Sequence, residues 1–139
     1  MGSIVVGIDG SSCAFAAVDE AAKLAKELND RVTVVFGYEP ARIGGEIQDH
    51  RAALEELGED LGKQALDRVA AAGADGELKL VDTEAVEALV GVADQLDARM
   101  IVVGSYGDSP LKGAILGSIP HKLVHISKRP LLVVHGADD

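Results

Sequence analysis

The stretch "MIVVGSYGDSPLKGAILGS", from Met100 to Ser118, joins an apolar run to a glycine-rich connection. The run Met100–Val103 is typical of a buried strand, and the residues from Ser118 onward have the pattern of a short helix. Glycine adopts backbone conformations that other residues avoid and leaves room for close approach by another group. Either the chain turns sharply here for its own packing, or a ligand comes close to the backbone.

Outward from this stretch, apolar runs alternate with helical periodicity along the chain. The predicted strands are Ile4–Ile8, Val32–Phe36, Glu77–Val81, Met100–Val103 and Pro130–His135. The first helix is predicted to run from the capping residues Ser11 and Ser12 to Asn29. The second follows a loop from Gly37 to about Gln48 and ends at about Ala72. The third follows the cap Asp82-Thr83 and ends at about Leu96, and the fourth spans Ser118–Ser127. The continuously apolar first, fourth and fifth strands indicate a doubly wound α/β fold, in which helices cover both faces of a parallel sheet.

The two longest helices each show a stripe of apolar residues that predicts the face turned to the core. The first helix carries Ala14, Val18, Ala21, Ala25 and Leu28 on one face. The second carries Leu54, Leu57, Leu61, Ala65 and Val69. Asp30, just after the first helix, falls outside its stripe and is predicted to lie at the surface.

Length and charge limit the classes of function. A chain of 139 residues is expected to form one domain over its whole length, and its net charge of −10 argues against nucleic-acid and membrane partners. Cys13 is the single cysteine, so no internal disulfide can form. The start "MGSIVVGID" has neither the basic segment of a signal peptide nor a myristoylation pattern, so a cytoplasmic protein is expected.

The glycine-rich connection leaves the end of one strand and enters a helix, and backbone amides at such a position attract phosphate. It lacks the Gly-Lys-Ser/Thr of a Walker loop. From composition alone, a turn without a ligand and a phosphate cradle remain equally open.

The glycine spacing is more specific than the composition. Gly104, Gly107 and Gly117-Ser118 fit the pattern G-x2-G-x9-G-[S/T]. Together with "VVGIDGS", "DARMIVVGS" and "KRPLLVVHG", this pattern resembles the nucleotide-binding branch of the universal stress protein family over the whole chain. The resemblance implies a five-stranded parallel sheet of order 3-2-1-4-5 and a cytoplasmic protein that binds an adenine nucleotide, ATP foremost and with Mg²⁺ as an option, in a stress response.

The resemblance also implies the site residues. Asp9 would hold the ribose or the adenine edge beside Gly7 and Ile8, and Gly37 would lie at the adenine wall. The residues near the ribose and phosphates would be Val103, Gly104, Gly107, Gly117, Ser118 and Ile119. As alternatives, Asp9 and Ser118 could each cap a helix.

Two positions depart from the family pattern. Asp108 places a carboxylate where phosphates are expected, which is repulsive unless Mg²⁺ intervenes or the side chain points away. Pro120 removes one amide from the first turn of the last helix, and similar Ser-Ile/Val-Pro variants occur in family members that bind cyclic AMP. Lys112 is the only cation of the loop. Three alternative functions remain: a slow Mg²⁺-dependent hydrolase with Asp108 or Asp9 on the metal, a binder of cyclic AMP, and a dimeric interaction module that binds no nucleotide.

Three further features are the histidine pair, the cysteine and the last strand. His121 and His125 have a spacing that can bind metal, but exposed helix histidines are the better interpretation. Cys13 is interpreted as a small packed residue. The last strand is apolar yet is placed at the edge of the sheet, which predicts a homodimer with Leu131, Val133 and His135 at the contact.

Overall fold

The computed structural model describes residues 2–39, 47–106 and 116–136, except for the side chains of residues 47–49. The described residues form five strands and four helices. The strands are β1 (Ser3–Gly7), β2 (Arg31–Gly37), β3 (Asp75–Val81), β4 (Met100–Gly104) and β5 (Leu131–Val134). The helices are α1 (Ser12–Leu28), α2 (Ile47–Ala71), α3 (Ala85–Leu96) and α4 (Ser118–Ile126).

The strands form one sheet of order β3-β2-β1-β4-β5 with every neighbouring pair parallel, which confirms the predicted fold. β1 is central, and its Val6 pairs with Val34 of β2 on one side and with Val102 of β4 on the other. The chain leaves β1 toward β2 on one side and later returns to β4 on the other. The loops that follow β1 and β4 therefore diverge, and this leaves a crevice at the carboxyl ends of the two strands.

Two buried clusters lie on opposite faces of the sheet. Ile4 and Val6 of β1 belong to the cluster that α1 and α2 cover, whereas Val5 belongs to the cluster that α3 and α4 cover. Side chains alternate along a strand, so the three consecutive apolar residues Ile4–Val6 of β1 supply both layers. On α1 the buried positions are mostly alanines, which allow the helix axis to lie close to the sheet.

Two leucines of the predicted core stripes are exposed. Leu28, the last residue of α1, is 41% exposed, while the other four members of its stripe are buried. Leu57 of α2 is 47% exposed, although Ala65 and Val69 of the same stripe are fully buried. Leu28 lies where the helix ends above the start of β2, and Leu57 borders a cavity.

The prediction that Asp30 lies at the surface is wrong, since the residue is only 4% exposed. Asn29 ends α1 in the left-handed conformation, with φ 58° and ψ 42°, and the amide of Asp30 then bonds to the carbonyl of Ala25 at 2.8 Å. This turn directs the Asp30 side chain inward.

Some element boundaries also differ from the sequence prediction. The N-cap of α3 is Glu84 rather than Asp82-Thr83, because its carboxylate accepts bonds from the amides of Val86 and Glu87. β3 begins at Asp75 rather than Glu77, since it pairs with β2 from the first residue of that strand. Among the described residues, no helix has the length and apolar character needed to cross a membrane.

Candidate functional site

A cavity of about 670 Å³ opens at the carboxyl ends of β1 and β4, where the strand order reverses. The residues predicted from sequence to contact a nucleotide meet on its wall, and those described are Gly7, Ile8, Asp9, Gly37, Val103, Gly104, Gly117, Ser118 and Ile119. The remaining one, Gly107, lies outside the described residues, as do Asp108 and Lys112. Segments far apart in sequence therefore form one concave site.

The turn after β1 supplies the carboxylate of the site. Asp9 is half-buried on the cavity wall, and its Oδ1 accepts a bond from the amide of Ser11 at 2.9 Å. Ser11, not Asp9, is the N-cap of α1, because its hydroxyl oxygen accepts a hydrogen bond from the amide of Ala14 at 3.2 Å. The capping alternative for Asp9 is thus wrong, and its bond to Ser11 holds the carboxylate at the cavity wall.

The start of α4 forms the opposite wall. Gly117 is the N-cap, and its carbonyl oxygen accepts a hydrogen bond from the amide of His121 at 3.1 Å. The alternative that Ser118 is the N-cap is therefore wrong. Ser118 is instead the first residue of the helix and is exposed. Since Pro120 has no amide, the first turn presents only the N–H groups of Ser118 and Ile119 beyond the helix.

Close packing explains two of the glycines. A Cβ on Gly104 would lie 2.7 Å from the Cβ of Cys13, where α1 begins. A Cβ on Gly117 would lie 2.8 Å from the Cα of Tyr106. Real side chains do not approach so closely, so both glycines let chain segments pack against each other and bring their backbones to the cavity. Close packing therefore accounts for both glycines, while the phosphate cradle stays a prediction.

The apolar wall of the cavity was not predicted from the sequence. Val35 and Phe36 from β2 and Ala85 and Leu89 from α3 line it beside the predicted residues. Leu57 of α2 and Leu116 before α4 also line it, although they are 47% and 40% exposed. Apolar side chains at a cavity rim suit the flat face of a base. Periodicity assigned Leu57 to the core, so no local signal identified it as a wall residue.

A polar network fixes α2 beside this wall. The Tyr38 hydroxyl donates to Glu55 at 2.6 Å, and its ring stacks on Phe36 with centroids 6.2 Å apart. Arg51 forms an ion pair with Asp82 at the end of β3. The hydrogen bond to the Glu55 carboxylate raises the pKa of Tyr38, and burial acts in the same direction. These contacts join the first half of α2 to the ends of β2 and β3.

The positive charge of the described site comes from the backbone. Among the described lining residues there is no Lys or Arg, and Asp9 is the charged side chain. The N-terminal ends of α1 and α4 both border the cavity, and each contributes the partial positive charge of its unbonded amides. Such a site is suited to an anion of modest charge.

Cys13 and the two helix histidines are not among the described residues that line the cavity. Cys13 is fully buried, as the packed interpretation requires, and its sulfur accepts the amide of Gly136 at 3.2 Å. The rings of His121 and His125 meet edge to face with centroids 5.1 Å apart. Within the part of the chain that the structure describes, no three potential metal ligands lie together.

Comparison with known proteins identifies relatives along nearly the whole chain. The family model described as "Universal stress protein family" matches residues 1–135. A universal stress protein of Mycobacterium tuberculosis is 33% identical over 144 aligned positions, and the alignment covers 96% of this chain and 95% of that protein. The universal stress protein YxiE of Bacillus subtilis is 29% identical over 143 aligned positions, and the alignment covers 94% of this chain and 97% of that protein.

Solved structures agree with the sequence matches. The crystal structure of a universal stress protein in complex with cAMP superimposes with a TM-score of 0.78 at 33% identity, and the match covers 98% of each chain. The strand order, the glycine pattern and the matches along the sequence therefore lead to one conclusion. This chain belongs to the universal stress protein family.

Proposed function

We propose that the chain binds an adenine nucleotide in the cavity at the ends of β1 and β4. The observation that carries the proposal is the convergence on one cavity wall of the residues that the sequence assigned to a nucleotide. The volume of about 670 Å³ lies in the usual range for small-molecule sites. The structure of a relative in complex with cAMP supports the same ligand class.

Each part of the cavity suits one part of a nucleotide. The apolar wall formed by Phe36, Leu57 and Leu89 would accept the base. The Asp9 carboxylate is an acceptor for a ribose hydroxyl. The amides at the start of α4 would hold phosphate oxygens without a cationic side chain. One nucleotide-binding domain formed by residues 1–139 is part of this proposal.

Two ligands compete within the adenine class. ATP, bound with or without Mg²⁺ in a cytoplasmic stress response, is the ligand that the sequence resemblance favours. Cyclic AMP is favoured by the described lining, which holds no Lys or Arg and loses an amide at Pro120. A single phosphodiester charge needs less stabilisation from the site than a triphosphate does.

Calorimetric titration with ATP, AMP, cyclic AMP and GTP, each with and without Mg²⁺, tests the proposal. We expect at least one adenine nucleotide to bind at least about tenfold more tightly than GTP, because an apolar wall leaves the carbonyl and ring N–H of guanine without hydrogen-bond partners. GTP binding of equal strength, or no binding by any of the four, would contradict the proposal. The ratio of ATP to cyclic AMP affinity selects between the two ligands, and phosphate release from ATP measures the hydrolase alternative.

A homodimer through β5 is the second part of the proposal. β5 is the last strand in the sheet order, and all four of its residues are half-buried within this chain. A second copy could pair with this edge about a two-fold axis near Leu131, Val133 and His135. Light scattering should give twice the chain mass of 14.4 kDa, and Val133→Pro should halve it. A wild-type mass of one chain at micromolar concentration rejects the dimer.

A further inference from the structure

Two glycines lie inside α2, one helical turn apart and on the same side of the helix. Gly58 and Gly62 are both buried, although α2 runs without a break from Ile47 to Ala71. Glycine in the middle of a helix destabilises it relative to alanine, so a pair at this spacing indicates that the helix needs the space that a side chain would fill. The packing around each glycine shows what uses that space.

The two glycines face different neighbours. A Cβ on Gly58 would lie 2.5 Å from the Cδ2 atom of Phe36 and 2.8 Å from that of Leu80. A Cβ on Gly62 would overlap the side chain of Leu78. Phe36 lines the cavity, whereas Leu78 is not among the described residues that line it. An added methyl group therefore presses on the cavity wall at position 58 and on the core at position 62.

The Phe36 ring is enclosed on the sides away from the cavity. It stacks on Tyr38, with ring centroids 6.2 Å apart, and its strand position pairs with Leu80 of β3. Val34, the previous residue on this face of β2, is fully buried. Because a closely packed interior offers no free volume, the cavity is the space into which a ring displaced by a group at position 58 moves.

The helix itself is held near Gly58. The Tyr38 hydroxyl donates to Glu55 at 2.6 Å, three residues before Gly58, and Arg51 forms an ion pair with a residue at the end of β3. A side-chain ring changes its torsion angles at lower cost than a helix of 25 residues shifts. Extra volume at position 58 therefore displaces Phe36 before it displaces α2.

We propose that Gly58 is a positioning residue for the base: the space that it leaves holds the Phe36 ring back, so that the cavity admits a purine. The inference rests on the proposed nucleotide site. Gly58 is not among the described residues that line the cavity, and it acts through Phe36. A larger side chain at position 58 narrows the apolar end of the cavity, and a narrower space favours the smaller ring of a pyrimidine.

The matched variants Gly58→Ala and Gly62→Ala test the proposal by base selectivity. Calorimetric titration with the tightest adenine nucleotide and with its cytosine counterpart gives an affinity ratio, which we expect to be at least about tenfold in the wild type. Gly58→Ala should lower this ratio at least about fivefold, whereas Gly62→Ala should leave it within about twofold. A purely structural role would weaken both nucleotides alike. Equal ratios in the two variants, or a wild-type ratio near one, would overturn the proposal.

A double variant identifies the moving part. Phe36→Leu in the Gly58→Ala background removes the overlapping ring atoms, so it should return the affinity ratio to within about threefold of wild type and recover stability lost in the single variant, as measured by urea denaturation. This rescue also serves as the test if Gly58→Ala alone does not fold. A double variant that is less stable than the single one, with no return of the ratio, means that α2 has moved instead of the ring and overturns the proposal.

Fluorine NMR follows the ring without any ligand. The chain contains two phenylalanines, Phe15 and Phe36, so protein labelled with para-fluorophenylalanine gives one resonance for each. Gly58→Ala should move the Phe36 resonance, and Gly62→Ala should move it less than half as far. An unmoved Phe36 resonance in Gly58→Ala contradicts the role of Gly58 alone. A wild-type protein that binds neither nucleotide contradicts the proposed function and removes the base selectivity with it.

Discussion

At the amino end of the sheet a buried carboxylate joins three strand starts, whereas at the carboxyl end the strands open onto a cavity. Asp30 precedes β2 and accepts bonds from the Gly2 amide before β1, at 3.0 Å, and from Arg99 before β4, at 2.5 and 3.2 Å. At the carboxyl end the polar groups that face the cavity include the helix amides and Asp9. One end uses its polar groups to hold itself together, and the other leaves its polar groups facing a ligand-sized space.

The difference shows where this fold can keep a binding site. Closing the amino end with Asp30 fixes the relative position of β1, β2 and β4 without any contact near the cavity. The carboxyl ends of the same strands can then stay apart. Changes at the amino end should alter stability, and changes at the carboxyl end should alter binding, except where the cavity wall is itself closely packed.

The largest effect should come from that exception. Gly104→Ala places a Cβ 2.7 Å from the Cβ of Cys13, so α1 or β4 must move, and we expect a loss of about 3 kcal/mol in the free energy of unfolding. The matched control is Gly91→Ala on α3, where a Cβ meets nothing within 4 Å and where we expect a gain of about 0.5 kcal/mol. Urea denaturation measures both. Equal effects of the two variants would mean that the cavity wall is loosely packed.

The next effect should appear at the amino end. Asp30→Asn keeps the shape of the side chain but leaves Arg99 without its charged partner, and we expect a loss of about 2 kcal/mol in the free energy of unfolding. Asp19→Asn breaks an ion pair with Arg68 in which both side chains are 46% exposed, and it should change stability by less than about 0.5 kcal/mol. Nucleotide affinity should be unchanged in both. A drop in affinity with Asp30→Asn would show that the two ends are coupled.

The effect of Asp30 should also depend on pH. The Arg99 hydrogen bond holds the pKa of Asp30 below its ordinary value of 3.8 against the opposing effect of burial, and the Arg99 charge acts with the bond. The carboxylate therefore contributes its full stability above the ordinary value and loses it as the pH falls through the folded-state pKa. The stability difference between wild type and Asp30→Asn should shrink from about pH 7 to about pH 3. A constant difference would contradict the assignment.

The sequence predicted the two ends unequally. The apolar runs and the family resemblance were enough to predict the strand order and the residues that lie at the carboxyl end, because the glycine spacing is visible in the sequence. The role of Asp30 was missed, since its burial follows from the left-handed turn at Asn29 and from Arg99, which is distant in sequence. Glu84 was missed as a cap because Asp82 and Thr83 belong to the residue types that usually cap helices and Glu does not.

The apolar wall could not be predicted for a different reason. Leu57 fits the core stripe of α2, and only the packing of α2 on β2 and β3 decides that this position borders a cavity rather than the sheet. Phe36 and Leu89 belong to strand and helix patterns that would look the same without a ligand. Apolar residues report burial, but they do not report whether another residue or a ligand provides it.

Two exposed leucines, one at each end of the sheet, give the smallest expected effect. Leu57 lines the cavity and is 47% exposed, while Leu28 lies at the end of α1 away from the cavity and is 41% exposed. If Leu57 covers the base of a bound nucleotide, Leu57→Ala should weaken binding about threefold through lost apolar contact. Leu28→Ala should leave binding unchanged, and each variant should alter the free energy of unfolding by less than about 0.5 kcal/mol because the side chains are already largely in water. Titration of both variants with the tightest adenine nucleotide, alongside urea denaturation, separates the outcomes. Equal affinities would remove Leu57 from the base wall, and a large loss of stability in Leu57→Ala would return it to the core to which its periodicity assigned it.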